Sequence, residues 1–364
     1  MNSELRHKVA LSFLFGIGPR KALKLVSKTG SVDAIFNEKL SSLHKLTGIN
    51  KRILSDLRRE DALEMAERQI EHAEKNGWNI HFFLDSNYPR RLKQIEDAPV
   101  ILYSSGKIEI NPRRTIAVVG TRAASSYGKM LCEELIESIQ YSDVQVISGM
   151  AYGIDICGHR ACVQRGVSTV GVLGHGLDRL YPQVHKRTAM SMLEHGGLLT
   201  EYIPGTNPDR ENFPMRNRIV AGMADATIVI ESQRKGGSLI TAELANDYSK
   251  DVFAYPGNVG VKNSEGCNYL IASDKAHLIT CGQDLLLKMG WEPISAKQTQ
   301  LMIELAPQEK LICSFLEEKG IQHVDEIAIG TNTLISELHF TLLQLELKGL
   351  VRTSGGNRYQ LILS

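Results

Sequence analysis

The chain has 364 residues, of which 43% are hydrophobic and 23% charged, and a formal net charge of +1. These are globular proportions at a length that implies two or three domains, and they exclude a largely disordered chain. The near-neutral total decides nothing about nucleic acid, because it can hide a basic groove. No apolar run reaches the length of a membrane span, and the N-terminus leads into an amphipathic pattern instead of a signal peptide. The six cysteines, Cys132, Cys157, Cys162, Cys267, Cys281 and Cys313, include no C-x-x-C pair, which argues against a zinc site and a disulfide framework. A cytoplasmic protein with reduced, mostly buried thiols and no metal is expected.

Residues 1–77 read as entirely helical. The stretch Leu14-Phe-Gly-Ile-Gly-Pro-Arg-Lys-Ala22 stands between two helical patterns, and its paired glycines make a tight hairpin whose free N–H groups suit a phosphate. It resembles the helix-hairpin-helix motif of DNA-binding proteins, with Leu46-Thr-Gly-Ile-Asn-Lys51 as a degenerate second copy. The same pattern also fits a small helical packing module that touches nothing. Between 78 and 112, short apolar runs broken by prolines predict a connector that donates a strand or two to the edge of the next domain.

From 115 onward, strands and helices alternate. Residues 115–119 are a continuous apolar strand, 120–128 a polar, glycine-punctuated turn, and 129–140 a helix with Leu131, Leu135 and Ile139 at helical spacing. A second unit follows, with a strand at 144–147, a turn at 148–153 and a helix from Asp155, read as its N-cap, to Gly166. Further strands are expected at 168–173, 198–202, 226–230 and 251–255, with helices over 184–194, from about 215, and over 239–250. This spacing predicts a Rossmann-like α/β domain over 78–292, a parallel sheet covered by helices on both faces. Beyond 300, helices over 307–319, 324–329 and, capped by Thr333, up to Lys348 precede a hairpin turning at Ser354-Gly-Gly-Asn357, which outlines a winged helix.

The turns at the carboxyl ends of such a sheet meet the ligand. None fits G-x-G-x-x-G: the first reads Gly120-Thr121-Arg122, with arginine where a second glycine would admit a pyrophosphate, so no dinucleotide cofactor is expected. Arg122 suits a phosphate or stacking on a base, or else a salt bridge across the end of the sheet. Arg210, Phe213, Arg216 and Arg218 crowd into nine positions. Cations with an interleaved aromatic ring are what single-stranded nucleic acid requires, although Phe213 equally suits a core position. Arg234, Lys235 and Lys250 add charge at later turns.

Six motifs carry a family resemblance. They are Val118-Val-Gly-Thr-Arg-Ala-Ala-Ser-Ser-Tyr-Gly128, Ser148-Gly-Met-Ala-Tyr-Gly-Ile-Asp155 with His159, Val172-Leu-Gly-His-Gly-Leu-Asp-Arg-Leu-Tyr-Pro182, Phe213-Pro-Met-Arg-Asn-Arg-Ile-Val-Ala-Gly222, Gly236-Gly-Ser-Leu-Ile-Thr-Ala242 and Val252-Phe-Ala-Tyr-Pro-Gly257. In this order, over 87–291, they resemble the DNA-processing protein A family, also called Smf. The resemblance implies a homodimer that binds single-stranded DNA in natural transformation, protects it and helps load the recombinase RecA, with no catalysis. It places the family's glycine-serine-arginine turn on Gly120, Thr121 and Arg122, its stacking aromatic on Phe213, and its basic residues on Arg210 and Lys250. With the cationic loops, the expected DNA-binding set is Gly120, Thr121, Arg122, Ser125, Arg210, Phe213, Arg216, Arg218, Lys235 and Lys250. Ile154, Asp155 and His159 match a family signature without a chemical role, and a packed helix face accounts for them.

The winged helix offers Ser336, Glu337 and His339 early on its third helix and no cation before Lys348. A protein-contact or dimer-support role is expected there, or duplex binding through Arg352 and Arg358 of the wing. An alternative class stays open for the central domain. Gly236-Gly-Ser-Leu-Ile-Thr-Ala-Glu243 also resembles the phosphate turn of phosphoribohydrolases that cleave nucleoside monophosphates, with one extra residue, Lys235 in place of proline, and no glycine before Thr241.

Overall fold

A computed structural model describes residues 3–291, 306–348, 350–353 and 356–361, in two compact units, 1–295 and 296–364. The first unit opens with six helices: α1 (Ser3–Leu11), α2 (Pro19–Thr29), α3 (Val32–Asn37), α4 (Leu40–Thr47), α5 (Lys51–Ser55) and α6 (Arg59–Asn76). Their ends follow local chemistry. Pro19 opens α2, Ser31 caps α3 by accepting from the Ala34 N–H at 3.1 Å, and Asn50 caps α5 by accepting from the Arg52 N–H at 2.9 Å. The hairpin between α1 and α2 buries Ile17, so the paired-glycine stretch forms the turn expected of it. These helices share one apolar core with the sheet that follows. Lys8 reaches across to Asp85 at 2.8 Å.

The sheet has nine strands: β1 (Asn79–Phe82), β2 (Ile101–Gly106), β3 (Arg114–Val119), β4 (Val144–Ser148), β5 (Thr169–Val172), β6 (Gly196–Thr200), β7 (Ala226–Val229), β8 (Asp251–Ala254) and β9 (His277–Leu278). Their order is β1-β2-β6-β5-β4-β3-β7-β8-β9. The connector supplies β1 and β2, which pair antiparallel with each other, and β2 pairs antiparallel with β6, while β6 to β9 and the strands between them run parallel. Alternate side chains of each strand face opposite sides. Ala117, Val119, Ile147, Val170 and Val229 meet α10 (Asn212–Met223), α11 (Gly237–Asp247) and α12 (Glu265–Ala272). Ile116, Val118, Val146, Ile228 and Phe253 meet α7 (Ser126–Ile139), α8 (Ile154–Arg165) and α13 (Gly282–Lys288). The strands therefore read as unbroken apolar runs because both faces are covered. A short α9 (Lys186–Met192) lies between β5 and β6.

One cap is corrected here, and one strand is not anticipated by the sequence. Asp155 does not cap α8: Gly153 occupies the N-cap, and Asp155 is buried in the first turn. The two-residue β9, whose side chains are both exposed, has no apolar signature to announce it.

The second unit contains α14 (Pro307–Lys319), β10 (Gln322–His323), α15 (Val324–Thr331), α16 (Ile335–Leu347), β11 (Val351–Thr353) and β12 (Arg358–Leu361). Ile312, Leu316, Ile327, Leu338, Leu342, Leu345 and Val351 form its core beneath a sheet of order β10-β12-β11. Three helices and a terminal hairpin make the expected winged helix. Lys348 and the buried Glu309 pair at 2.6 Å, which clamps the end of α16 to the start of α14. Leu334 is the N-cap of α16 in place of Thr333, whose hydroxyl is taken up by Thr331. The expected wing turn at Ser354 and Gly355 and the module limits at 292 and 300 lie outside the described residues. No helix among the described residues is long and apolar enough to cross a membrane.

Candidate nucleic-acid interface

The chain leaves β3 for β4, β5 and β6 on one side and returns to β7 and β8 on the other, so β3 and β7 flank the point where strand order reverses. In open parallel sheets that point opens a crevice beyond the carboxyl ends. A groove of about 640 Å³ occupies it, lined among others by Gly120, Thr121, Arg122, Asp155, Arg210, Phe213, Arg216, Asn217 and the Gly236–Gly237–Ser238 start of α11.

The turn after β3 is held from three sides. The Thr121 N–H donates to the Glu231 carbonyl at 2.7 Å, and the Thr121 carbonyl accepts from the Ile154 N–H at 3.2 Å. The buried Glu231 carboxylate accepts from the Ser125 N–H at 2.9 Å and from the Ser125 hydroxyl at 2.6 Å. Ser125 in turn accepts from the Gly128 N–H at 3.0 Å and caps α7. Ser125, expected to contact DNA, is thus committed to Glu231 and to its own helix. Gly120 has a packing reason as well: a Cβ there would stand 2.4 Å from the Ile154 side chain. At Gly153, φ is +78° and a Cβ would lie 2.0 Å from the Thr121 carbonyl oxygen, so only glycine lets the two turns abut.

This scaffold leaves Arg122 exposed at the tip of the turn, with its guanidinium 5.7 Å from the centre of the half-buried Phe213 ring. Tyr181 lies 6.1 Å from the same ring at an interplanar angle of 38°. Gly174 leaves room for this, since a Cβ there would stand 3.1 Å from Phe213. Arg122, Phe213 and Tyr181 surround a niche of about 70 Å³ whose floor is Met150, Val172 and Leu173. Tyr181 belongs to a quoted motif, yet nothing in its local sequence marks it as a neighbour of Phe213. Arg210 and Lys235 are exposed, and among the described residues no carboxylate pairs with Arg122, Arg210 or Lys235.

Arg216 and Arg218 separate. Two positions along a helix is a turn of about 200°, so their side chains leave α10 on opposite sides. Arg216 faces the groove from below, buried, donating to the Val172 carbonyl beside Asp155. Burial lowers its affinity for its proton and raises the Asp155 pKa, the latter opposed by the charge of Arg216. Its Nε, also buried, has no hydrogen-bond partner among the described residues. Arg218 points to the connector, donating to the Glu201 carboxylate and, at 2.7 Å, to the Asp97 carbonyl. Its charge is therefore met within the chain, by the mostly buried Glu201, instead of facing the groove. Lys250 is also displaced. It precedes β8 and so lies at the amino end of the sheet, half-buried near Asp225, with its pKa lowered by burial.

His159, assigned only to packing, supports the floor of the groove. Its two ring nitrogens meet the Thr169 hydroxyl at 2.8 Å and the Gly149 carbonyl at 2.7 Å. Burial pushes its pKa down to about 4, so it works as a neutral ring. Glu231, the counterpart support of the first turn, carries one sequence signal: a carboxylate directly after a buried strand that ends at a ligand-facing edge.

Fold and groove together define a Rossmann-like α/β protein with a cationic, ring-lined crevice, carrying a helical module before it and a winged helix after it. Family comparison agrees with that class at every part: residues 79–290 match the DNA recombination-mediator protein A family, 296–357 the DprA winged helix domain, and 10–60 the SAM-like helix-hairpin-helix tandem. The chain belongs to the DNA recombination-mediator protein A family. Protein Smf of Synechocystis is 29% identical over 99% of both chains. DNA processing protein DprA of Streptococcus pneumoniae is 41% identical over 56% of this chain and 71% of its own. The solved structure of that pneumococcal protein superposes with a TM-score of 0.65 at 32% identity, over 78% of this chain and 97% of its own. A DNA processing protein A from Helicobacter pylori, whose structure is described as showing a single-stranded DNA binding mode, gives a TM-score of 0.54 at 25% identity, over 59% of this chain and 97% of its own.

Proposed function

We propose that this chain binds single-stranded DNA over the carboxyl ends of its parallel strands, shields it during transformation and presents it to a RecA-type recombinase, without turning it over. The observation that carries the reading is the composition of the groove: Arg122 and Arg210 line it with Phe213 and Tyr181, and neither forms an ion pair among the described residues, while the exposed Lys235 lies in the loop just before α11. Phosphates meet the cations while bases stack on the rings, a sequence-tolerant arrangement. Arg216 adds a buried positive charge beneath them. The single-strand binding described for the Helicobacter relative supports the reading, and so does the family. Recombinase loading, a homodimer and a cytoplasmic site of action come with it. The helical module over 1–77, the central domain over 78–292 and the winged helix over 300–364 act as separate recognition parts, the two flanking ones toward duplex DNA or protein.

A phosphoribohydrolase reading draws no support from Glu243. That residue stands exposed at 3.7 Å from Lys275 and does not line the groove.

Binding of a labelled single-stranded oligonucleotide across a salt series, against the same length of duplex, tests the proposal. Single strand is expected to bind in preference, with affinity falling as salt rises. Arg122→Ala should weaken binding and reduce the log–log salt slope by about 1. Phe213→Ala should cost about 1–3 kcal/mol with the slope unchanged, as loss of a stacking platform does. Single-strand binding indifferent to both substitutions would move the DNA out of this groove.

A further inference from the structure

Helices α7 and α8 lie side by side on one face of the sheet, and two thiols meet between them. Cys132, fully buried on α7, and Cys157, partly exposed in the first turn of α8, both lie at the contact between the two helices. The Cys157 Sγ also lies 3.8 Å from the Lys129 carbonyl oxygen, one turn before Cys132 on α7. The Cys132 Sγ stands 3.6 Å from the point where a side chain on Gly158 would begin, so the α7 thiol is seated against the α8 backbone next to Cys157. Both sulfurs therefore occupy one interhelical seam, and one of them reaches solvent.

We propose that Cys157 and Cys132 are a modification site, converted by a peroxide-class oxidant into a reversible disulfide that ties α7 to α8. The roles are unequal. Cys157 is partly exposed, with the charges of Lys129 and Arg160 favouring its thiolate against burial and Glu133, whereas Cys132 is fully buried and burial raises its pKa. Cys157 is thus the attacking thiolate and Cys132 the resolving thiol. The Cys157 sulfur attacks one peroxide oxygen and the O–O bond breaks. This leaves a sulfenic acid on Cys157 and a hydroxide that takes up a proton as water. The Cys132 sulfur then attacks the Cys157 sulfur, the S–O bond breaks, and the departing hydroxide leaves as water with the Cys132 proton. The two thiols lose an electron pair and two protons, and hydrogen peroxide becomes two waters. Cys162, fully buried further along α8 and pushed up to about 12 by burial, is not a competitor. The bond would join the helices whose N-terminal turns stand on either side of Arg122.

The test uses the full chain, reduced and then given limiting hydrogen peroxide. Free thiols are alkylated with N-ethylmaleimide under denaturing conditions, and the digest is analysed by non-reducing mass spectrometry. A peptide pair joined through Cys132 and Cys157, released by dithiothreitol, is expected. Cys132→Ala should abolish the pair and leave a Cys157 sulfenic acid that dimedone captures, while Cys157→Ser should remove both products. The wild-type digest decides the matter even if a variant folds poorly. A Cys157–Cys162 link, accumulation of sulfinic acid on wild-type Cys157 without a link, or full alkylation of both thiols after peroxide would each overturn the proposal.

Discussion

The two ends of the parallel strands treat positive charge in opposite ways. At the amino ends, Arg91 forms a two-pronged pair with Asp225 at 2.6 and 2.7 Å and donates to the Pro112 and Arg113 carbonyls, each at 2.9 Å. Asp225 also accepts from the Thr115 N–H at 2.9 Å, and Arg114 donates to the Ser142 carbonyl at 2.8 Å. At the carboxyl ends, Arg122, Arg210 and Lys235 form no ion pair among the described residues, and the one groove carboxylate that feels Arg122, Asp155, lies closer to the buried Arg216. A cation that holds the fold together brings its counter-charge within the chain, whereas one that awaits an anion lacks it. The count of arginines in a loop is therefore a poor guide, and the partner of each is a good one.

Arg218 is the strongest test of that rule, because it sits in the cationic cluster yet behaves like an amino-end residue. Removing it leaves the mostly buried Glu201 without its cation; burial already raises the pKa of that carboxyl, and Arg218 opposes the rise. Arg218→Ala should lower the unfolding free energy by about 3 kcal/mol or more in urea titrations. Oligonucleotide affinity per folded molecule should be unchanged. A stable variant with a smaller salt slope would put Arg218 with the ligand-binding cations.

The floor of the groove answers to acid. His159 has a folded pKa of about 4 against an unfolded value near 6.5. Below 6.5 the unfolded chain takes a proton that the buried ring refuses, so stability is greatest above that pH and falls as pH drops toward 4. The loss for this one group is about 3 kcal/mol across the window. His81 and His175, also lowered by burial, act in the same direction. Urea unfolding at several pH values should show this slope, and His159→Gln should flatten it. An unchanged slope in the variant would assign the acid sensitivity to the other histidines.

How far the sequence reveals these features depends on what each one rests on. The six predicted strands of the parallel sheet are legible because burial on both faces makes them continuous apolar runs, as in Ile116 to Val119 and Ala226 to Val229. Arg122 is legible because a turn after such a strand has one direction in which to project. Arg216 and Arg218 are not, since a step of two residues on a helix decides which element each one meets, and that element is contributed from far away in sequence. Ser125 looked like a ligand-facing hydroxyl and is a cap held by Glu231, over a separation of 106 residues. Asp155 looked like a cap and is a buried neighbour of Arg216. In each case the identity of the side chain was legible and its counterpart was not.

Lys250 carries the smallest predicted effect and bears most directly on the comparison between the two ends. A basic residue just before a strand resembles a DNA contact when motifs alone are aligned, but its position places it beside Asp225 and Arg91, across the sheet from the groove. If DNA runs only over the carboxyl ends, Lys250→Ala changes neither affinity nor salt slope, and any change in stability is small because the side chain is only half-buried. If instead the slope falls by about 1, as it should for Arg122→Ala, then the strand wraps around the sheet and meets charge at both ends. Comparing the two variants at several oligonucleotide lengths separates these cases. A wrapped path makes the Lys250 effect appear only beyond a threshold length, whereas the Arg122 effect is present at the shortest length that binds.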